Sequence, residues 1–317
     1  MMKARDLALL LGLGAVWGVS FVFITIALQY ISPILLAAIR FDLVAVVMLV
    51  WALVAGHRVL PKGRAEWTAV AAAGFLSIAG YHAFLFWGQK YTTEGIASII
   101  VGLNPILSTV VARALLPTEK VSARNIVGLA LGLAGIAALE FLKPGAKFDA
   151  QGIGEMAVLA AIACWSVGSV TVKRTGASMP LPTLVMWQSA IGSLTMHAVS
   201  LAVEPNAKHD LNRHSLFALG YMVVLASSVG LPVYYYILRR VGPMRANLVS
   251  YIAAISTSIT ALVWLHEPIE GRSYLAFALI VVGFLLTMQQ AKPAPPTAPP
   301  PATPAATLPG TNVAEPE

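Results

Sequence analysis

Residues 15–23 read AVWGVSFVF, and residues 163–171 read ACWSVGSVT. The two stretches share one Ala, one Trp and two Val residues at positions that lie 148 residues apart (163 − 15). The same shift pairs further residues near the end of each copy: Ser108 with Ser256, Thr109 with Thr257, Glu119 with Glu267, Arg124 with Arg272 and Gly135 with Gly283. The sequence therefore predicts one structural unit that is present twice.

The apolar content of the chain points to a membrane. Of its 317 residues, 58% are hydrophobic and 11% are charged, whereas a soluble domain has about 25% charged residues. A helix needs about 20 apolar residues to cross the hydrocarbon of a bilayer. The stretches that qualify are residues 7–28, 33–55, 66–89, 94–116, 123–142, 153–173, 182–203, 215–238, 244–265 and 273–290. We therefore predict an all-α membrane protein with ten transmembrane helices.

Five of the predicted helices fall in each copy, so residues 7–142 form the first repeat and residues 153–290 the second. Because five is an odd number, the second repeat is inverted relative to the first. Two inverted repeats are typical of transporters that work by alternating access. Residues 291–317 begin with AKPAPPTAPPPATPAATLPG. This segment cannot bury apolar area, which predicts a Pro-rich disordered tail.

The positive charges favour one orientation of the chain. Cytoplasmic connections of membrane proteins are enriched in Lys and Arg. With the N-terminus inside, 13 of the 21 basic residues lie on the cytoplasmic side, 6 lie on the other side, and Arg40 and Arg113 lie within helices. This distribution predicts that both termini lie in the cytoplasm. The net charge of +7 does not predict nucleic-acid binding, because the cations lie at helix ends rather than on one face.

Charged and titratable side chains at membrane depth are costly and usually functional. Arg40 lies about 8 residues into its helix, roughly 12 Å below the surface. It either binds a substrate carboxylate or phosphate through two nitrogens or holds a neighbouring helix end. Asp42 lies about 200° around the helix from Arg40 and needs another partner. Asp42 and His82, which titrates near neutral pH, are the candidates for proton coupling. The structural alternatives are a neutral buried acid and a hydrogen-bonded core histidine.

Aromatic residues mark the expected binding cavity. Trp17 and Trp165 lie near the middle of their helices, not at the membrane interface where Trp is usual. Trp and Tyr rings can wall a cavity for amphipathic or aromatic solutes, although plain packing explains any single ring. Pro105 and Pro232 interrupt helical hydrogen bonding, which is typical of helices at transporter binding sites. The predicted substrate-binding residues are Trp17, Arg40, Tyr81, His82, Asn104, Trp165, Gln188, Tyr234 and Tyr251.

Catalytic motifs are absent from the sequence. It contains no Gly-rich phosphate loop and no nucleophile elbow, and its six histidines lack metal-ligand spacing. The single cysteine, Cys164, excludes an intrachain disulfide. We therefore expect no enzyme activity, no cofactor and no metal. The expected partners are a small-molecule substrate, the lipid bilayer, a proton gradient and a second copy of the chain.

The stretch 104–139, NPILSTVVARALLPTEKVSARNIVGLALGLAGIAAL, resembles the end of an EamA domain. The resemblance is carried by Pro105 in the fourth helix, Glu119 after it, and Gly128 and Gly135 in the fifth helix. The opening AVWGVSFVF and the segment LAAIRFDL around Arg40 also resemble this family. In the second copy, Ala253 stands in place of Pro105 and Gln188 in place of Arg40, while Trp165, Glu267 and Gly283 persist.

The resemblance covers residues 7–290 and implies a ten-helix member of the drug/metabolite transporter superfamily. Such proteins are typically small-molecule exporters of bacterial inner membranes, with a central cavity lined by helices 1, 3, 4, 6, 8 and 9, so the resemblance implies that location for this chain. We expect an exporter of small metabolites or amphipathic compounds, with amino acids as the leading class. The alternatives are an uncoupled facilitator of the same fold and a membrane-embedded sensor or scaffold without transport.

Overall fold

The computed structural model describes residues 4–115, 123–141, 150–175, 178–265 and 271–288. We number the long helices in chain order: α1 (Ala4–Leu28), α2 (Pro33–Val54), α3 (Gly63–Gln89), α4 (Glu94–Leu115), α5 (Ala123–Phe141), α6 (Ala150–Thr175), α7 (Leu181–Val203), α8 (Arg213–Val241), α9 (Val249–Thr260) and α10 (Gly271–Met288). A helical turn, Pro243–Ala246, precedes α9, and Ala261–Leu265 continues it. The expected tail and the predicted positions Glu119 and Glu267 lie outside the described residues.

Six of these helices are long and apolar enough to cross a membrane: α1, α2, α3, α4, α6 and α8. Within the described ranges, extended pairing is limited to an isolated bridge between Ile31 and His209. The predicted all-helical fold is therefore confirmed. The predicted stretches and the observed helices differ by a few residues at their ends, as for 182–203 and Leu181–Val203.

The helix ends follow from local chemistry. Thr93 precedes α4, and its hydroxyl accepts a hydrogen bond from the backbone N–H of Ile96. The Asn212 side chain caps α8 in the same way through the N–H groups of His214 and Ser215. Such caps satisfy donors that the first helical turn leaves unpaired. Gly242, with φ of 85°, ends α8 in a conformation that few other residues adopt.

Three helices are irregular in their middle. Ala73–Gly80 of α3 and Met222–Val229 of α8 are π-helical, and these two segments occupy nearly matching positions under the 148-residue shift. The expected irregularity before Pro105 is observed, since α4 is interrupted at Gly102 and Leu103. Irregular turns of this kind leave backbone groups available to other partners. The carbonyl of Ala226 in α8, for example, accepts a hydrogen bond from the Trp17 indole N–H at 2.9 Å.

The most extensive helix contacts join the two copies. α1 packs on α9, α2 on α7, α5 on α10, and α3 and α4 on α6. Glycines allow several of these close approaches. A Cβ atom on Gly18 of α1 would lie 2.5 Å from Cβ of Ser256, and one on Gly192 of α7 would lie 2.6 Å from Cβ of Ile78. Small residues at such crossings let helix backbones approach within a membrane.

Candidate functional site

A small cavity lies between α1, α2, α3, α4, α6, α8 and the start of α9. Six of the nine predicted substrate-binding residues line it: Trp17, Arg40, Tyr81, His82, Asn104 and Trp165. Its volume is about 60 Å³, which corresponds to about two water molecules at roughly 30 Å³ each. This volume lies well below the roughly 300–1,000 Å³ of typical ligand pockets, so the cavity as it stands is smaller than most metabolites.

Arg40 is the buried cation of this cavity. It is 5% exposed, and its Nε donates a hydrogen bond to Oγ of Ser227 at 2.9 Å. The guanidinium carbon lies 5.2 Å from the centre of the Phe41 ring and 5.9 Å from that of Phe86. Within the described part of the chain, its two terminal nitrogens make no hydrogen bond and no acidic side chain pairs with it. The guanidinium therefore retains donors for a ligand.

Trp17 and Trp165, the repeat-related pair, meet at the cavity wall. Their ring centres are 5.7 Å apart in an edge-to-face arrangement. Tyr81 packs on Trp165 with ring centres 5.0 Å apart. Trp17 is held by its bond to the Ala226 carbonyl, and Gly230 makes room for it, since a Cβ atom there would lie 2.7 Å from the indole nitrogen. The rings thus form an aromatic wall of the cavity that Arg40 also lines.

The imidazole ring of His82 lines the cavity beside these aromatic rings. Nδ1 lies 3.0 Å from the Ile78 carbonyl oxygen, one helical turn earlier, and the ring meets Phe41 and Tyr81 edge to face. Among the described residues no carboxylate pairs with it. A second positive charge beside the permanent cation of Arg40 would be unfavourable in this enclosed space.

A buried polar network joins the interrupted helices. The side-chain oxygen of Asn104 accepts hydrogen bonds from Ser166 and Ser108, at 3.0 and 3.3 Å. Asn247, which lies directly before α9, donates to the Ser108 hydroxyl at 2.6 Å and accepts from Tyr234 at 2.9 Å. Sequence reasoning singled out Asn104 and Tyr234 but missed Asn247 and the two serines. Ser108 could have been found through the internal repeat, which pairs it with Ser256.

Three predicted binding residues do not line the cavity. Gln188 accepts a hydrogen bond from the Tyr235 hydroxyl at 2.7 Å in a buried position. Tyr234 lies behind the tryptophans, 5.0 Å from the centre of Trp165, and supports that ring. Tyr251 lies in the first turn of α9 and is partly buried. These residues belong to the surroundings of the cavity in this conformation.

Asp42 lies away from the cavity. Its carboxylate is 2.7 Å from Nε2 of His197 on α7, and the two side chains are 46% and 38% exposed. The sequence indicated that Asp42 needs a partner other than Arg40, and His197 is that partner. The neighbouring residues Leu43, Val46 and Leu194 are exposed and apolar. Asp42 therefore occupies the outer surface of the bundle.

No metal-binding group of three or more His, Cys, Asp or Glu residues occurs in the described ranges. Four acidic residues in the described ranges are nonetheless deeply buried near helix starts: Asp6, Glu66, Glu94 and Glu155, at 3%, 5%, 4% and 2% exposure. Asp6 lies 3.2 Å from Nε of Arg240. The sequence pattern did not single them out, because each lies at the end of an apolar stretch where exposure is the ordinary expectation.

Membrane-length apolar helices around a cavity with a buried cation form the architecture of a small-molecule membrane transporter. The sequence profile of the EamA-like transporter family matches residues 6–141 and again residues 152–289. These two matches cover most of the chain, so the protein belongs to the EamA-like transporter family. The predicted relationship to the drug/metabolite transporters is thereby confirmed. The family points to a multi-pass membrane transporter rather than an enzyme.

Named relatives agree with this assignment, and a solved structure shares the fold. The "Probable amino-acid metabolite efflux pump" of Salmonella typhimurium is 26% identical over 90% of this chain and 96% of its own length. The "WAT1-related protein At3g02690, chloroplastic" of Arabidopsis thaliana is 25% identical over 85% of this chain, which spans 66% of that protein. A crystal structure at 22% identity has the same fold, with a TM-score of 0.67 over 90% of this chain and 97% of the other.

Proposed function

We propose that the protein exports small amphipathic metabolites that carry a carboxylate, with amino acids, aromatic ones included, as the leading class. The observation that carries the proposal is Arg40. A guanidinium that is 5% exposed, lines a cavity and keeps its two terminal nitrogens free of described partners is suited to bind a carboxylate through two parallel hydrogen bonds.

The aromatic wall supports the same substrate class. Trp17, Tyr81 and Trp165 present ring surface next to the guanidinium. Ring surface of this kind favours apolar and aromatic side chains. An amino acid combines such a side chain with a carboxylate. The name of the Salmonella relative supports this class as well.

Alternating access would be provided by two inverted five-helix repeats, 7–142 and 153–290, with ten membrane crossings. The repeated match of the family profile supports two equivalent halves. The helix pairs α1–α9, α2–α7 and α5–α10, each with one member from either half, support a symmetric arrangement. A cavity of about 60 Å³ has to widen for a metabolite, as expected of a closed state between two open ones.

We also propose that the protein resides in a bacterial inner membrane, as the resemblance implies, with both termini in the cytoplasm, as the distribution of Lys and Arg favours. Proton coupling is part of the proposal. The sequence offers Asp42 and His82 as candidates for it, and loss of pH-driven accumulation in Asp42→Asn or His82→Gln alone would identify the residue concerned. We further propose that the protein forms a homodimer. The exposed Asp42–His197 pair is the contact that we propose between the two copies.

A substrate comparison in proteoliposomes tests the proposed substrate class. We expect the full chain to exchange labelled L-phenylalanine across the membrane but to exchange phenethylamine, which lacks the carboxylate, at least tenfold more slowly. Arg40→Ala should abolish the preference, whereas Arg213→Ala, at an exposed position, should preserve it. Equal exchange of both solutes by the unmodified chain would refute a carboxylate site. Exchange without accumulation under any ion gradient would identify an uncoupled facilitator, and no exchange of any solute would favour a sensor or scaffold.

A further inference from the structure

Glu94 is a deeply buried acid for which the described residues provide no cationic partner. It is 4% exposed at the first turn of α4, and the Thr25 hydroxyl of α1 donates a hydrogen bond to its Oε1. The ion pairs in the described ranges are Arg58–Glu66, His197–Asp42 and Arg240–Asp6, so none of them includes Glu94. A buried carboxylate within a membrane is costly unless it is paired or neutralised by a proton.

The surroundings of Glu94 suit a carboxyl group rather than a metal ion. Nε2 of Gln89 donates to the Thr25 hydroxyl at 3.0 Å and to the Phe21 carbonyl at 2.8 Å. In this cluster, Gln89–Thr25–Glu94, the amide of Gln89 orients the Thr25 hydroxyl, which in turn donates to the carboxylate. A hard metal cation needs several converging oxygen ligands instead. Oε1 of Gln89 is buried and has no hydrogen-bond partner, so the cluster contains an acceptor that lacks a donor, and the O–H of a protonated acid is a donor of that kind.

The cluster adjoins the central cavity. Phe21 and Ile24 line that cavity, and Thr25 follows Ile24 directly. Along α1, Thr25 is about 6 Å beyond Phe21 at 1.5 Å per residue. Val101, two turns after Glu94 on the same helix, also lines the cavity. Glu94 therefore lies at the end of the cavity toward the C-terminus of α1, where a change in its charge can affect the helices that enclose the substrate.

Among the described residues, charges around Glu94 are sparse. The first part of α4 packs against α1, α3, α6, α9 and α10. The charged and titratable side chains described on these elements at the same end are Lys90, Tyr91, Glu155 and Tyr274; those elsewhere on them are Arg5, Asp6, Arg64, Glu66, Tyr81, His82, Cys164, Lys173, Arg174 and Tyr251. Lys90 is exposed, with its ammonium 5.6 Å from the Tyr91 ring centre. Glu155 is hydrogen-bonded to Gln151. None of these side chains forms an ion pair with Glu94.

We propose that Glu94 binds the proton whose release and uptake drive export. The proton is taken from water on one side of the membrane and released to water on the other, and no other bond changes. The inference rests on the proposed transport function, and it assigns coupling to a residue other than Asp42 or His82. Asp42 lies on the outer surface with His197, and His82 lies beside Arg40, whereas Glu94 is enclosed and unpaired by cations.

The first test needs no substrate. Infrared difference spectra of the purified full chain, recorded between low and high pH, report the carbonyl band of protonated carboxyl groups. We expect Glu94→Gln to remove a band that Asp42→Asn leaves in place. Glutamine can still accept the Thr25 hydrogen bond, so the fold should persist, and Glu94→Asp should retain a shifted band. A spectrum unchanged in Glu94→Gln would overturn the proposal, whatever the protein transports.

The second test measures coupling in proteoliposomes whose membrane potential is collapsed. With a lumen one pH unit more acidic than the bath, exchange of one proton per L-phenylalanine supports at most about tenfold accumulation, or about 1.4 kcal/mol. We expect accumulation to vanish in Glu94→Gln while substrate exchange continues, and to persist in Asp42→Asn and Glu94→Asp. Accumulation by Glu94→Gln would refute the coupling role. If the unmodified chain fails to exchange L-phenylalanine, the substrate proposal fails, and the infrared result still decides whether Glu94 binds a proton.

Discussion

At the scale of single residues, Arg40 shows how function and stability can oppose each other. Insertion scales assign about 2.5–3.5 kcal/mol to an Arg at the centre of a membrane helix. Ser227 and the rings of Phe41 and Phe86 offset part of that cost. The terminal nitrogens still lack partners among the described residues. This is the arrangement that the proposed role of Arg40 in ligand binding leads us to expect.

Arg40→Lys should impair transport of L-phenylalanine nearly as much as Arg40→Ala. Lys offers a single ammonium that cannot donate from two coplanar nitrogens to one carboxylate. Initial rates over a range of substrate concentrations provide the measurement, with Arg213→Lys as the matched control. Arg40→Met should unfold at a temperature no lower than the unmodified chain, because it removes an incompletely bonded buried charge. Full activity in Arg40→Lys would show that transport needs only a positive charge at this position and not the geometry of a guanidinium.

Several cavity residues were predictable one at a time. Arg40, Trp17, Trp165 and Asn104 are polar or aromatic at a depth where such side chains are rare, and depth can be read from the sequence. The face of the helix on which a residue lies cannot be read from the sequence, because α1 and α2 are apolar on all sides. Asp42 is therefore predicted as a deep acid, but its placement on the outer surface depends on how α2 packs against α7.

At the scale of helices, the crossing of α1 and α9 depends on glycine. A Cβ atom on Gly18 would lie 2.5 Å from Cβ of Ser256 and 2.6 Å from the backbone oxygen of Ala253. The equivalent crossing of α4 and α6 places the Ser108 and Ser166 hydroxyls 3.1 Å apart. The two crossings are related by the repeat and use different chemistry. Gly18 occupies the position in the first repeat that Ser166 occupies in the second. The α1–α9 crossing therefore has close backbone contact at the point where the α4–α6 crossing has a hydrogen bond between two hydroxyls.

Gly18→Ala should lower the free energy of unfolding by about 1–3 kcal/mol, the usual cost of overpacking. Gly12→Ala is the control on the same helix, since a Cβ atom at that position meets nothing within 4 Å. Reversible unfolding of both variants in mixed detergent micelles gives the comparison. Equal stability of Gly18→Ala and the unmodified chain would mean that α9 can shift away from α1 without loss.

The irregular helices were only partly predictable. Pro105 lacks a backbone N–H, and it therefore predicts the interruption of α4. The π-helical segment Ala73–Gly80 contains no proline, so its extra width has no signal in its own sequence. The segment Met222–Val229 directly precedes Gly230 and Pro232, and its carbonyl at Ala226 is bonded by Trp17. Such features depend on partners more than 200 residues away, as the 209-residue separation of Trp17 and Ala226 shows.

At the scale of the whole molecule, the internal repeat is the strongest information in the sequence. It predicts which helices are equivalent before any contact is known. It does not predict how the two halves pack together, because helices of one half pack on helices of the other half that are not their equivalents. For example, α1 packs on α9, and the repeat-related pair α4 and α6 makes the corresponding contact. The Gln89–Thr25–Glu94 cluster has no counterpart that the 148-residue shift would reveal, since Gly242 stands at the position that pairs with Glu94.

The proposed inversion of the second repeat makes a topological prediction. A reporter enzyme that is active only outside the cytoplasm should be inactive when fused after Gln290 and active when fused after Gly145, because five helices separate the two sites. Enzyme activity normalised to the amount of fusion protein in membranes is the measurement. Activity at both sites, or at Gln290 alone, would exclude the proposed arrangement.

The small size of the central cavity has a consequence for the cell that carries the protein. About 60 Å³ accommodates a couple of water molecules, whereas a continuous water file would have to extend through roughly 30 Å of hydrocarbon. Trp17 and Trp165 meet edge to face at the wall of this cavity, so a water file through the cavity would have to pass these rings. A transporter in which no such file forms can reside in an energised membrane without short-circuiting the electrochemical gradient across it.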